Sequence, residues 1–234
     1  MNNNSLNMKS LLHRAHSQGI SNGFLPFWAA MLNEVLDPID FDTKILEFGA
    51  QGADFLRLAY LAYPYAKGLG ITLDIDRKSS PTEFPTSEFP YLQFLDESAI
   101  ELKSGEFDLA FSHEVLGLLP DLHEHAAAIE RLLSPGGVYY AAFGWHGDNP
   151  ASSMQAPIRA EKKLPFHPHM LGEVAGAFHS AGFEVSFKRL PLPFFLVYEP
   201  EITSRRFGGV PEMISCLQDQ KVLFALRKGR VHHD

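Results

Sequence analysis

The chain has 234 residues, 45% of them hydrophobic and 21% charged, and a formal net charge of −8. That composition is sufficient for one sizeable buried core and excludes global disorder. The charge is uneven: residues 1–150 carry 9 Lys and Arg against 20 Asp and Glu, residues 151–234 carry 11 against 8. An acidic N-terminal part without a basic, aromatic-interleaved stripe argues against a nucleic-acid partner.

Cys216 is the only cysteine, which excludes an intrachain disulfide and a cysteine-based metal site and suits a reducing cytoplasm. The most apolar N-terminal run, Gly23 to Leu32, is short, is interrupted by Pro26 and has no cleavage pattern, so neither a membrane anchor nor export is expected.

A polar, Asn-rich start leads into a short helical pattern through Leu11, Leu12 and His16. Phe27, Trp28, Met31, Leu32 and Val35 then follow the spacing of an amphipathic helix, which Asp37-Pro38 ends. Residues 1–40 are read as a helical lid or extension, and residues 41–234 as the main domain.

From Lys44 on, apolar runs alternate with helical patterns. Strands are predicted at 44–48, 67–73, 91–95, 107–112, 138–143, 183–188 and 221–227, and helices at 54–62, 122–133 and 169–181. Such alternation implies βαβ units, hence an α/β fold with a mostly parallel sheet covered on both faces. Residues 146–168 are read as a polar loop. Residues 190–219 are read as an insertion containing LPLPFFLVYEP.

The run ILEFGAQGADFLRLA (Ile45 to Ala59) is the most informative. A strand ends in a carboxylate, Glu47, and is followed by Gly49, Ala50, Gln51 and Gly52 before a helix. Glycines allow a sharp turn and a close approach of backbone to a ligand, and ligands of such sheets sit beyond the C-terminal strand ends.

With FDLAFSHEVLGLLPD (Phe107 to Asp121), RLLSPGGVYYAAF (Arg131 to Phe143) and AGFEV (Ala181 to Val185) in order behind it, the chain resembles the class I S-adenosylmethionine-dependent methyltransferases. The resemblance implies a Rossmann-like, seven-stranded sheet whose last strand is antiparallel. It implies S-adenosyl-L-methionine as cofactor, with S-adenosyl-L-homocysteine as product.

Residue by residue, the resemblance puts Gly49, Ala50, Gln51 and Gly52 beside the methionine moiety, with Glu47 beneath. It puts Asp74 at the ribose hydroxyls, with Thr72 and Asp76 as alternatives. Asp96 and Glu97 fall near the adenine, Asp96 serving equally well as a helix N-cap. Ser112 and His113 flank the cofactor. The family's G-x-G-x-G loop is altered here by Gln51 and Ala53, unless one residue is deleted and Gly52 takes the third position.

Methyl transfer needs mainly proximity and alignment, with a base only where the acceptor must lose a proton. His113 and His146, at predicted strand ends, are the candidate bases, though each is more readily read as lining the pocket or hydrogen-bonding locally. His167 and His169 flank Pro168 without a carboxylate cluster, and no metal is expected. Trp145, Phe166, Phe194, Phe195 and Tyr198, with Phe24, Phe27 and Trp28, suit an apolar lid over a small-molecule acceptor. The aromatic insertion suits a homodimer contact equally. Two further readings stand beside the enzyme: a non-catalytic methyltransferase-like partner protein, motivated by Gln51, and a nicotinamide oxidoreductase, disfavoured by the missing G-x-G-x-x-G pattern.

Overall fold

The computed structural model describes residues 7–20, 23–49, 54–64, 66–72, 92–96 and 104–229. Seven strands form one sheet: β1 (Lys44–Phe48), β2 (Lys67–Thr72), β3 (Leu92–Asp96), β4 (Phe107–His113), β5 (Leu133–Phe143), β6 (Phe183–Arg189) and β7 (Val222–Lys228). Their order is β3-β2-β1-β4-β5-β7-β6. Strands β1 to β5 pair in parallel, whereas β7 is antiparallel to both β5 and β6. The expected α/β, seven-stranded sheet with an antiparallel last strand is what the chain builds.

Alternation of side chains along the central strands gives the sheet two apolar faces. Ile45, Leu109, Phe111, Val138 and Tyr140 point to one face, covered by α1 (Met8–Ser17), α2 (Leu25–Asn33) and α3 (Asp54–Ala62). Leu46, Phe48, Ala110, Tyr139 and Ala141 point to the other, covered by α4 (Leu122–Leu132) and α6 (Leu171–Ser180). Each large buried side chain here, such as Phe111 or Phe178, contributes about 2 kcal/mol of transfer free energy.

Local chemistry sets the element ends. Asp121 caps α4 by accepting the backbone N–H groups of His123 and Glu124 at 2.8 and 3.0 Å. Glu173, in the first turn of α6, accepts the Met170 N–H at 2.8 Å. Ser134-Pro-Gly-Gly is part of β5. The backbone is strand from Leu133, with a register shift against β4 between Phe107 and Leu109. Gly136 takes a positive φ of 84° within that irregularity.

The segment read as a polar loop at 146–168 contains a helix, α5 (Ser152–Glu161), with Pro157 inside it. Asn149, almost fully buried, prepares its start: its side chain donates to Gly144 O at 2.6 Å and accepts the Ala151 N–H at 3.0 Å. The 190–219 insertion forms α7 (Pro200–Phe207), α8 (Val210–Ile214) and a π-turn (Ser215–Asp219). A small satellite core of Ala151, Phe207 and Cys216 joins this insertion to α5, with Trp145 stacked on Phe207 at 5.8 Å. Among the described residues, no helix is long and apolar enough to cross a membrane.

Candidate functional site

The C-terminal ends of β1, β4 and β5, with the start of the antiparallel β7, meet at one edge of the sheet. In such sheets that edge is where ligands bind. Four groups of side chains and backbone define it.

Glu47, the last carboxylate of β1, is 8% exposed, and its Oε2 is buried without a hydrogen-bond partner. Burial, with the nearby charge of Asp54, pushes its carboxyl well above the ordinary range. A buried, unpartnered carboxylate oxygen costs on the order of 1–3 kcal/mol, and it matches the donor-rich amino end of an amino-acid ligand. Two residues on, Gly49 turns the chain with a φ of 80°, a conformation that residues with a Cβ rarely adopt.

His113 ends β4 on the same face as Glu47. Its ring lies 5.0 Å from that of Phe24 and 5.5 Å from that of Phe27, both contributed by the N-terminal helical segment. Burial and the adjacent Lys221 charge lower its pKa to about 3, against an opposing pull from Glu114, so the imidazole is neutral at physiological pH.

Glu114 follows in a left-handed conformation, φ 59°. This turns its carboxylate onto the exit of β5, where Oε1 accepts the Gly144 N–H at 3.1 Å and Oε2 the Trp145 N–H at 3.4 Å. Lys221, whose side chain is 3% exposed, forms an ion pair with Glu114. Burial would raise the Glu114 carboxyl, but Lys221, His113 and the Gly144 N–H together lower it below its ordinary value. The Lys221 ammonium also lies 3.5 Å from His113 Nε2 and 4.8 Å from the centre of the Phe27 ring.

The remaining expected residues are distributed differently. Ser112 faces the α4 side of the sheet, its hydroxyl 2.5 Å from Tyr139 Oη, which is in turn 3.1 Å from His125 Nε2. His146 is completely buried, with Nε2 donating to Gln220 O at 2.8 Å. Its Nδ1 has no hydrogen-bond partner, the nearest carboxylate oxygen, Asp148 Oδ2, lying 3.8 Å away. Burial lowers the His146 pKa. Thr72 and Asp96 stand at paired positions at the ends of β2 and β3. Ala50, Gln51, Gly52, Asp74, Asp76 and Glu97 lie outside the described residues. His169 Nε2 donates to Leu119 O at 2.7 Å, and no metal-binding group of three or more His, Cys, Asp or Glu occurs among the described residues.

The sequence pattern assigns no site role to Glu114 or Lys221. One signal could have found Lys221. A strand predicted antiparallel must begin at the edge where β4 and β5 end, so a charged residue at its start belongs to the site.

Residues 47–141 match the family model described as a methyltransferase domain. No curated protein matches the sequence. Solved structures that superimpose well include a chain of the complex between the Haloferax volcanii Trm112 methyltransferase activator and its candidate methyltransferase. It is 17% identical, with a TM-score of 0.69 over 96% of this chain and 98% of that one. The Streptomyces coelicolor A3(2) geranyl diphosphate C-methyltransferase, solved with Mg2+, geranyl diphosphate and S-adenosyl-L-homocysteine, is 17% identical. Its TM-score is 0.61 over 97% and 87% of the two chains. Haemonchus contortus phosphoethanolamine N-methyltransferase 2, solved with S-adenosyl-L-methionine, is 15% identical, with a TM-score of 0.68 over 97% of this chain and 59% of that one. By its strand order and its superposition on these structures, the chain shares the Rossmann-like fold of these methyltransferases, and the methyltransferase-domain match covers residues 47–141 of it.

Proposed function

We propose that the protein is an S-adenosyl-L-methionine-dependent methyltransferase acting on a small-molecule acceptor. The observation that carries this reading is Glu47: a buried carboxylate with one oxygen unpartnered, two residues before a glycine turn at the cofactor edge of the sheet. Relatives solved with S-adenosyl-L-methionine or S-adenosyl-L-homocysteine support the cofactor.

When bound, the cofactor supplies an electrophilic methyl group. The chain's own part is to hold an acceptor in line with it, exclude water and position one polar atom. Glu47 would accept hydrogen bonds from the amino end, and Gly49 with the loop behind it would let backbone approach closely. Thr72, Asp74, Asp96 and Glu97 remain the proposed contacts for ribose and adenine. Phe24, Phe27 and Phe194 would wall the acceptor from solvent.

His113 would hydrogen-bond the acceptor's polar atom as a neutral imidazole. Burial and the Lys221 charge make the imidazolium costly, which weakens His113 as a proton store. His146, sealed against Gln220, would support the floor of the site. The lone buried Cys216 suits a cytoplasmic location.

A second reading, a methyltransferase-like partner subunit, draws on the Haloferax relative, which was solved as a complex with an activator. Calorimetry with S-adenosyl-L-homocysteine separates the two. Saturable binding that Gly49→Trp abolishes is expected. Absence of binding at millimolar ligand would overturn the enzyme reading.

A further inference from the structure

We infer that the groove formed by the segment connecting β6 to β7 is the tail subsite for an uncharged, elongated, apolar acceptor with a single polar head, and that it rejects phosphorylated and carboxylated ones. This deepens the methyltransferase reading and rests on it.

The groove has a volume of about 490 Å³ and is lined by Leu192, Phe194, Leu196, Val210, Met213 and Ile214 among others. Its polar lining consists of Tyr198 and Gln218, and none of its described lining residues is charged. Gln218 donates to Phe194 O at 3.4 Å, tying the two sides of the groove together. Phe195 and Val197, 98% and 73% exposed, extend the apolar surface at the rim. Exposed apolar surface of this kind on a soluble domain marks a binding site more often than it occurs without one.

Phe194 links the groove to the site. It lines the groove, and its ring stands edge-on to Phe27 at 5.4 Å, while Phe27 in turn lies 5.5 Å from His113. A molecule lying along the groove therefore reaches Phe194, the ring that adjoins the Phe27–His113 pair. Beside those rings the nearest cation among the described residues is Lys221, and its charge is already matched by Glu114. His113 is uncharged. A phosphate or carboxylate head would lose its water without gaining a free cation, which is strongly unfavourable. A hydroxyl or other neutral polar atom needs only the one hydrogen bond that the imidazole offers.

The test uses a matched pair of probes, n-octanol and octanoate, binding to the full chain at neutral pH and followed by saturation-transfer NMR and calorimetry. Octanol should bind, and octanoate should bind roughly tenfold more weakly or less. Ile214→Asp, at a 41% exposed rim position, should weaken octanol while leaving the melting temperature and S-adenosyl-L-homocysteine binding unchanged. Glu114→Gln, which keeps an acceptor for Gly144 but frees the Lys221 charge, should strengthen octanoate selectively. Octanoate binding as tightly as octanol would overturn the proposal. So would octanol binding that ignores Ile214→Asp, or Ile214→Asp converting a dimer to a monomer in light scattering, which would make the groove a subunit contact. Octanol binding that behaves as expected without any S-adenosyl-L-homocysteine binding would sink the methyltransferase reading and keep the apolar pocket.

Discussion

Glu114 and Lys221, 107 residues apart in the sequence, form a buried ion pair that joins the end of β4 to the start of β7. The pair also fixes the exit of β5, because the same carboxylate accepts the Gly144 and Trp145 N–H groups. Removing one partner leaves an uncompensated charge inside the protein. Lys221→Met should therefore cost about 3–5 kcal/mol of stability. The double variant Lys221→Met with Glu114→Gln should recover part of that loss. Urea denaturation of the four species in a double-mutant cycle measures the coupling, and simple additivity would show that the pair does not act as a unit.

Glu47 sets stability against binding. Its raised carboxyl pKa means that the stability gained from holding the proton is present below the ordinary carboxylate range and is lost as pH rises through the folded value. One of its oxygens is buried without a hydrogen-bond partner. Glu47→Gln should raise stability by about 1 kcal/mol at neutral pH. The same substitution should weaken S-adenosyl-L-homocysteine binding by roughly tenfold through loss of a charge-assisted hydrogen bond. Thermal melts and calorimetry on one preparation test both; a variant less stable and equally good at binding would contradict the assignment.

His125, packed against Phe48, Tyr139 and Phe178 inside the α4 face, makes the opposite prediction about pH. Burial lowers its pKa from 6.5 to about 3. The unfolded chain binds a proton as pH falls below 6.5 while the folded chain does not, so stability is lost on acidification until the folded value is reached. His113 contributes in the same direction. His125→Gln should flatten the fall in melting temperature between about pH 7 and pH 5. An unchanged slope would show that His125 is protonated or solvated in the folded state.

Gly147 is a steric requirement. A Cβ built there would lie 2.6 Å from the Pro168 carbonyl oxygen and 2.5 Å from Met170 Sδ. The Gly147 N–H also donates to His169 O at 2.9 Å, holding the segment close. Methionine can move but the carbonyl cannot without shifting the loop. Gly147→Ala should thus cost about 2 kcal/mol, while Gly172→Ala, where nothing lies within 4 Å, should be near neutral or slightly stabilising in α6. Denaturation midpoints of the two variants distinguish crowding from a general effect of adding a methyl group.

The legible parts of the fold were those carried by local patterns. Apolar runs such as Lys44–Phe48 and Phe183–Arg189 reveal their strand character directly, and Asp121 or Asp54 at a helix start does the same for helices. Helix α5 was missed because Pro157 reads as a breaker and its polar residues show no apolar stripe. The helix survives because Ser152 donates to His146 O at 2.7 Å and Gln155 is buried, contacts that exist only in the folded chain.

The candidate site divides along the same line. Glu47 and Gly49 are legible as candidates because strand, carboxylate and turn are consecutive in the chain, and His113 because it ends a recognisable strand. Ser112 was grouped with His113 by position, yet adjacent residues of a strand face opposite sides of the sheet, and Ser112 meets Tyr139 instead. His146 followed β5 as expected, but whether its ring faces a ligand depends on the segment before β7, which closes over it through Gln220.

By itself, then, the amino-acid sequence determined the alternation of strands and helices, the glycine turn behind a carboxylate and the lack of a cysteine-based metal site. These follow from spacing and residue type within a few turns of chain. Only the tertiary structure decided that Lys221 pairs with Glu114, that His113 is left uncharged between them and two phenylalanine rings, and that Phe194, which packs on Phe27, lines a groove whose described residues carry no charge. Those are electrostatic and desolvation effects between distant residues, and they come into being only when the antiparallel β7 brings Lys221, the residue before it, to the edge where β4 and β5 end.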